Sequence, residues 1–555
     1  MERWWDLLVI ALLGAWLLVT NLDSPLMEPD ESRYAEIPRL MLRTGDWITP
    51  RLQGKPYNDK PPLVYWLIGA SYWTFGVSIE AARLVPAVAG WLTLMIVYLW
   101  TRRYLGRKMA NYSAFIMLTM IGYLALMRML LLDGVLSFLV IGSLLAGHHA
   151  LSQRRHAGWW LVSAIICGLG VLAKGPVAIV LVTPCLFMLR WLDRRTTPMT
   201  FLDAVWYGFV VLAIAVPWYA VMMVTNEHFG SEHFFRHHFR RFLDPAHHQQ
   251  PFWYYIPALL IELLPWPILL VPVLQRWRLW TGPERFLMFF IGFCFLFFSI
   301  ARAKLPTYLL PLLPLLAVMF SHELVALARK WHAALKWEGE ILHSKQGIDP
   351  RRVQLGFTLS LTILLFGVTF RSWGFYYALQ VGSLSCDPWA LCLMMMGIGL
   401  LVFQLMTDFA VPRLAYGLVP LALLTTYCVT HHAIPDYAEA VSIVDDCQEL
   451  KRLAETAGIP AVAHRNSWDA VSFARNGDEL EVFSSREWPA FTAWLKQHPR
   501  AMIWMRDYEG RVETFAQSLP KGMEVEQTYD LGRVQGIIVR QTEVMQTGYE
   551  EKPEK

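Results

Sequence analysis

Two short stretches concentrate chemically useful side chains. Residues 27–36 (MEPDESRYAE) set the carboxylates of Glu28, Asp30 and Glu31 beside Arg33 and Tyr34. Residues 57–66 (YNDKPPLVYW) follow with Tyr57, and with Lys60 flanked by Asp59 and the rigid pair Pro61 and Pro62. Both come after an apolar run that ends near residues 21–23. Acid, cation and aromatic groups at the edge of an apolar segment suit an anionic substrate carried in a membrane. The same residues also read as a solvated interfacial loop. The choice turns on which other polar groups share their side.

Further candidates lie inside or beside apolar runs. Asp133 sits in MLLLDGVLSF and Lys174 in GLGVLAKGPVAIV. A lone acid at a helix start can simply answer the helix dipole, and a Lys at Gly-Pro can mark a tight turn. Alternatively, the Lys174 ammonium holds a phosphate in a poorly solvated place. His233, His237, His238, Arg240 and Arg241 precede Asp244, His247, His248 and the aromatic run PFWYY at 251–255. The planar fork of Arg241 suits a phosphate. His238 with Asp59 would be the ligands of a divalent metal, although the spacing matches no strong metal motif. The aromatics suit an interfacial belt. In AKLPTYLLP, Lys304 and Tyr308 are four apart and share a face if a helix continues through Pro306. Otherwise they are a snorkelling Lys and a belt Tyr. No nucleophilic triad, Walker loop or dinucleotide fingerprint is present, so ATP-driven transport has no support.

These groups need elements to hold them. The chain has 555 residues, 55% hydrophobic and 17% charged, with repeated apolar runs near the roughly 20 residues a membrane helix needs. A polytopic α-helical membrane protein follows. We read thirteen spans, near 5–23, 84–101, 109–127, 129–150, 159–173, 175–190, 204–224, 254–275, 286–301, 305–327, 353–371, 390–407 and 411–431. The first is expected to be retained rather than cleaved. Lys and Arg clusters at 102–108, 154–155, 190–195, 276–285, 329–352 and 413 fall in alternate loops, which marks those loops as cytoplasmic. The N-terminus is then cytoplasmic and the C-terminal region lies outside. Loops 24–83 and 225–253 fall on the outer side, with residues 33–43 and 63–75 expected as helices lying along the membrane surface.

After residue 432 the composition becomes that of a soluble protein. Strand-like runs at 461–463, 480–483, 501–505 and 536–539 alternate with helical stretches at 443–456 and 489–497, which predicts an α/β domain over 432–545. Residues 546–555 read as a disordered tail. Of seven cysteines, only Cys386 and Cys447 look exposed outside a span, and none form a C-x-x-C pair. The net charge of +4 argues against nucleic acid as a partner, and a monomer is expected.

The topology puts Asp30, Lys60, Arg128, Asp133, Lys174, His237, His238, Arg241, Arg302, Lys304 and Tyr308 on one side. Ionisable groups at membrane depth are costly, and their convergence favours a shared cavity over independent anchors. Taken together, EPDESRYAEIPRLM, YNDKP, LLDGVLSF, LAKGPVA, FRRFLDPAHHQQPFWYYIP and KLPTYLLPLLP resemble lipid-linked sugar transferases of the GT-C class. The likeness is to bacterial lipid A 4-amino-4-deoxy-L-arabinose transferases, within the protein O-mannosyltransferase-like superfamily, and covers residues 1 to about 430. It implies transfer of a sugar from undecaprenyl phosphate to lipid A, or to another membrane acceptor, at the periplasmic face of the inner membrane. On the matching positions, Asp30 and Asp133 are the catalytic candidates. Glu31, Arg33, Tyr34, Tyr57, Lys60, Lys174, Arg241, Lys304 and Tyr308 are the substrate-binding candidates. Where the family usually carries Glu before the lysine, this chain has Asp59, one methylene shorter. Two rivals stay open: transfer of another sugar to a glycan, lipid or protein hydroxyl, and transport of a polyprenyl lipid.

Overall fold

In lipid every backbone N–H and C=O must find a partner inside the protein, so the apolar runs form helices. The computed structural model describes residues 4–27, 29–53, 55–152, 157–227, 229–230, 250–280, 282–336, 422–424, 426–464, 481–483, 487–506, 511–531 and 534–542. Among the described residues, six helices are long and apolar enough to cross a membrane: Ile79–Tyr104, Leu132–Ser152, Ala157–Lys174, Phe201–Thr225, Pro283–Ile300 and Pro306–Ala326. Trp5–Val19 and Val177–Leu192 are shorter apolar helices. Each of the first ten expected spans therefore contains a helix. The expected spans at 353–371 and 390–407, and most of 411–431, lie outside the described residues.

Two of the ten are not straight. Arg107–Thr119 and Ile121–Arg128 meet at 63°, and Phe252–Glu262 and Pro267–Gln275 meet at 119°. Met120 is extended at the first break. At the second, Pro265 and Pro267 supply no N–H to continue a helix. The breaks lock together: the Ile121 N–H donates to the Leu264 carbonyl at 3.0 Å. A Cβ on Gly122 would lie only 2.5–2.7 Å from the Cβ, Cα and carbonyl oxygen of Glu262, so only glycine fits. Elsewhere small polar residues join the helices. Ser143 and Ser163 each donate to the other's backbone carbonyl, at 2.8 and 2.7 Å, with the Tyr207 hydroxyl 2.9 Å from Ser143.

Arg128, counted by the sequence among the converging polar groups, is committed to the first helix. Its guanidinium donates to the carbonyls of Leu17, Thr20 and Asn21 at 2.7, 2.8 and 2.7 Å, closing the end of Trp5–Val19.

The chain forms two compact units. One contains Met1–Asp23, Asp46–Pro50 and Tyr57–Asp436; the other contains Ser24–Gly45, Arg51–Pro56 and Tyr437–Lys555. The second unit carries a five-stranded sheet. The hairpin strands are β1 (Arg51–Leu52) and β2 (Lys55–Pro56); the sheet strands are β3 (Ala461–His464), β4 (Glu481–Phe483), β5 (Arg500–Arg506), β6 (Met523–Asp530) and β7 (Val534–Gln541). Their order is β4-β3-β5-β7-β6, parallel among β3, β4 and β5 and antiparallel at β5–β7 and β6–β7. Helices Val444–Thr456 and Trp488–Gln497 match the sequence expectation. β6, an edge strand reading MEVEQTYD, and the helix Arg511–Ser518 were not legible in the pattern. Cys447, expected to be exposed, is buried where its helix meets the sheet. This unit also holds the helix Asp30–Thr44, and Lys55 pairs with Glu487 at 2.6 Å within it.

Candidate functional site

Helices Leu132–Ser152 and Ala157–Lys174 are consecutive and pack side by side, so the start of one lies by the end of the other. Asp133 is in the first turn of the former and Lys174 is the last residue of the latter. Each charge sits at the helix end whose dipole favours it. Gly175, with φ +93°, lets the chain leave sharply after Lys174, and Pro176 opens the next helix. The Lys174 Nζ donates to Asp133 Oδ1 at 2.5 Å, with the two side chains 16% and 11% exposed. Removing one partner of such a sparsely solvated pair leaves the other charge uncompensated.

A third element completes the group. The turn Pro306–Leu312 packs against Leu132–Ser152. The Thr307 Oγ1 donates to Asp133 Oδ2 at 3.2 Å. The Lys174 ammonium lies 4.6 Å from the centroid of the Tyr308 ring, a cation–π contact. Both Asp133 oxygens thus have donors. An ammonium has three N–H groups, and Lys174 gives one to Asp133. Anion binding is the chemistry this arrangement supports.

Lys304 departs from the expectation. Proline disfavours helical backbone in the residue before it. Leu305 is accordingly extended at φ −129°, ψ 144°, and the 3-10 turn begins at Pro306. Lys304 and Tyr308 therefore share no helical face. The Lys304 ammonium, in a residue only 3% exposed, donates to the carbonyls of Ala301 and Gln250. Burial lowers its pKa below the ordinary lysine value. Lys304 clamps the loop that presents Thr307 and Tyr308.

The segment 57–60 is tied at several points. The Tyr57 N–H donates to the Pro50 carbonyl at 2.7 Å, Asn58 accepts from the Asn226 side chain at 3.0 Å, and Lys60 Nζ lies 3.4 Å from the Asp59 carbonyl oxygen. Tyr57, Asp59 and Lys60 remain partly exposed.

In the second unit, Asp30 opens the helix Asp30–Thr44 with its side chain 42% exposed and Arg33 Nη1 at 3.4 Å. Glu31, expected to face substrate, instead turns inward: the residue is 1% exposed and its Oε2 accepts the Met27 N–H at 2.8 Å. Met27 lies four positions before Glu31, so Glu31 reaches back over the helix start and satisfies a chain-entry donor. Tyr34 is buried in the same helix. Glu36 and Arg39, which the sequence did not single out, form a buried two-bond pair at 2.6 and 2.7 Å.

Arg241 and His238 lie outside the described residues, as do His233, His237, His247, His248 and Glu28. Among the described residues no three His, Cys, Asp or Glu side chains gather to hold a metal, Asp59 included. His238, the other expected metal ligand, lies outside those residues.

The structure thus brings together Asp133, Lys174 and Tyr308, and adds Thr307, to which the sequence reading assigned nothing. A hydroxyl after a proline at a turn start is common, so only the position of Asp133 across from it reveals its use.

Residues 59–220 match the family described as dolichyl-phosphate-mannose-protein mannosyltransferase. A protein of Edwardsiella ictaluri named undecaprenyl phosphate-alpha-4-amino-4-deoxy-L-arabinose arabinosyl transferase is 33% identical over 347 residues, 61% of this chain and 62% of that protein. One of the same name from Yersinia enterocolitica is 30% identical over 371 residues, 65% of each. These matches span less than two thirds of the curated relatives' own length. The crystal structure of ArnT from Cupriavidus metallidurans bound to undecaprenyl phosphate superposes with a TM-score of 0.72 at 22% identity, covering 97% of this chain and 98% of that one. The chain has that protein's fold, the GT-C membrane architecture expected from the sequence, with a C-terminal sheet-bearing region.

Proposed function

We propose that this chain is a bacterial inner-membrane glycosyltransferase that takes 4-amino-4-deoxy-L-arabinose from undecaprenyl phosphate and attaches it to a lipid A phosphate. The observation that carries the reading is the Asp133–Lys174–Tyr308 group, an anion-binding ammonium held at the meeting of three membrane elements. The names of the relatives support the sugar and the carrier. The alternation of basic loops supports a cytoplasmic N-terminus and a periplasmic C-terminal domain. A monomer is sufficient for this chemistry.

The reaction is a single displacement. An oxygen of the acceptor phosphate attacks the anomeric carbon as its bond to the carrier phosphate oxygen breaks, which inverts that centre. Negative charge grows on the leaving undecaprenyl phosphate, and the Lys174 ammonium stabilises it where little water screens the interaction. Lys60 and Tyr57, with Arg241 from the resemblance, are assigned to the same carrier phosphate and its sugar. An ionised acceptor phosphate needs no strong base. Asp30 is then assigned to steady positive charge on the sugar; with a hydroxyl acceptor it would take the proton.

The test uses purified protein in liposomes with the aminoarabinosyl carrier lipid and lipid A. Expected is release of undecaprenyl phosphate with equal gain of aminopentose on lipid A. Release only when a protein or glycan hydroxyl replaces lipid A would move the function to the mannosyltransferase-like branch that residues 59–220 match.

A further inference from the structure

We infer that Thr307 is a positioning residue: by occupying the second oxygen of Asp133 it keeps the Lys174 ammonium available to the carrier phosphate. The inference rests on the functional reading above and deepens it.

A lysine that binds phosphate beside a carboxylate faces competition. Terminal carboxylate torsions are broad, so an unrestrained Asp133 can turn until both oxygens lie against the ammonium. Each N–H taken this way is lost to the phosphate. In the structure only Oδ1 meets Lys174, at 2.5 Å, while Oδ2 takes the Thr307 hydroxyl at 3.2 Å. The carboxylate is satisfied without drawing a second N–H from Lys174.

The hydroxyl is well placed to do this. Thr is β-branched and stiff at χ1. Pro306 fixes the backbone angle just before it, and the Lys304 ammonium ties the preceding loop to Ala301 and Gln250. The next residue, Tyr308, offers its ring to Lys174. One turn therefore holds both members of the pair, the anion through Thr307 and the cation through Tyr308. The ring face attracts the ammonium without placing a second carboxylate oxygen against it.

Thr307→Val keeps the shape and removes the donor. Asp133 then turns onto Lys174, and affinity for undecaprenyl phosphate falls about tenfold, the effect of roughly one charge-assisted hydrogen bond. Thr307→Ser keeps the hydroxyl and stays within about twofold of wild type. In an Asp133→Asn background the competing negative charge is gone, so Thr307→Val there changes affinity by less than about twofold. Binding of undecaprenyl phosphate to each purified variant, with the KM for donor and kcat measured on the same preparations, reads these effects. Expected is a raised KM with kcat within about threefold. Equal weakening by Thr307→Val in both backgrounds would make the residue a packing element and overturn the inference. So would wild-type affinity in Thr307→Val, or a Ser variant as weak as Val. If the wild type itself fails to bind undecaprenyl phosphate, the functional reading fails first, and this inference with it.

Discussion

Lys174→Met should lower sugar transfer at least about 100-fold, the order seen when a preorganised charge facing a developing anion is removed. Met keeps an unbranched apolar chain of similar length and deletes the charge. It also leaves Asp133 with Thr307 as its remaining hydrogen-bond donor in a sparsely solvated place. Breaking a fully buried pair costs roughly 3–5 kcal/mol, and residual exposure puts the cost here at the lower end. Lost activity and lost stability therefore come together in this variant. Asp133→Asn combined with Lys174→Met separates them, because the amide needs no counter-charge. The double variant should regain most of the melting temperature and none of the activity. Recovery of transfer by the double variant would remove Lys174 from catalysis. Lys174→Arg restores charge with a different shape and should give partial activity.

Asp30→Asn should lower transfer by about 100-fold or more, the order lost when a charge facing developing opposite charge is removed, with the fold intact. The structural cost is small because the carboxylate is 42% exposed and the hydrogen bond it accepts from Arg33, at 3.4 Å, is long. Exposed pairs of this kind contribute about 0–1 kcal/mol. Glu31→Met makes the opposite prediction: that carboxylate is buried and accepts from the Met27 N–H, so removing the acceptor should register in thermal stability before activity. Initial rates and melting curves of the two variants check both. Full activity in Asp30→Asn would take Asp30 out of the reaction.

The helices were legible because apolar runs of sufficient length have few alternatives in a membrane. Asp133 and Lys174 stood out for the same reason: charges in such runs need partners, and each found the other. The details that failed depend on geometry that periodicity does not carry. The pattern across 109–127 and 254–275 is continuous in hydropathy, but extended Met120 and the prolines at 265 and 267 break the backbone. Lys304 and Tyr308 have helical spacing, and Pro306 prevents the helix that would align them. Glu31 and Asp30 are adjacent acids, yet one faces inward and one outward because helical neighbours are about 100° apart. Edge strand β6 lacks an apolar face strong enough to read, being paired on one side only.

Whether this chain places aminoarabinose on lipid A is decided by mass spectrometry of lipid A from cells lacking the gene and from the same cells carrying wild type or Lys174→Met. Expected is aminopentose-bearing lipid A with the wild-type gene, and its absence in both the deletion and the variant. Identical lipid A in all three strains would contradict it.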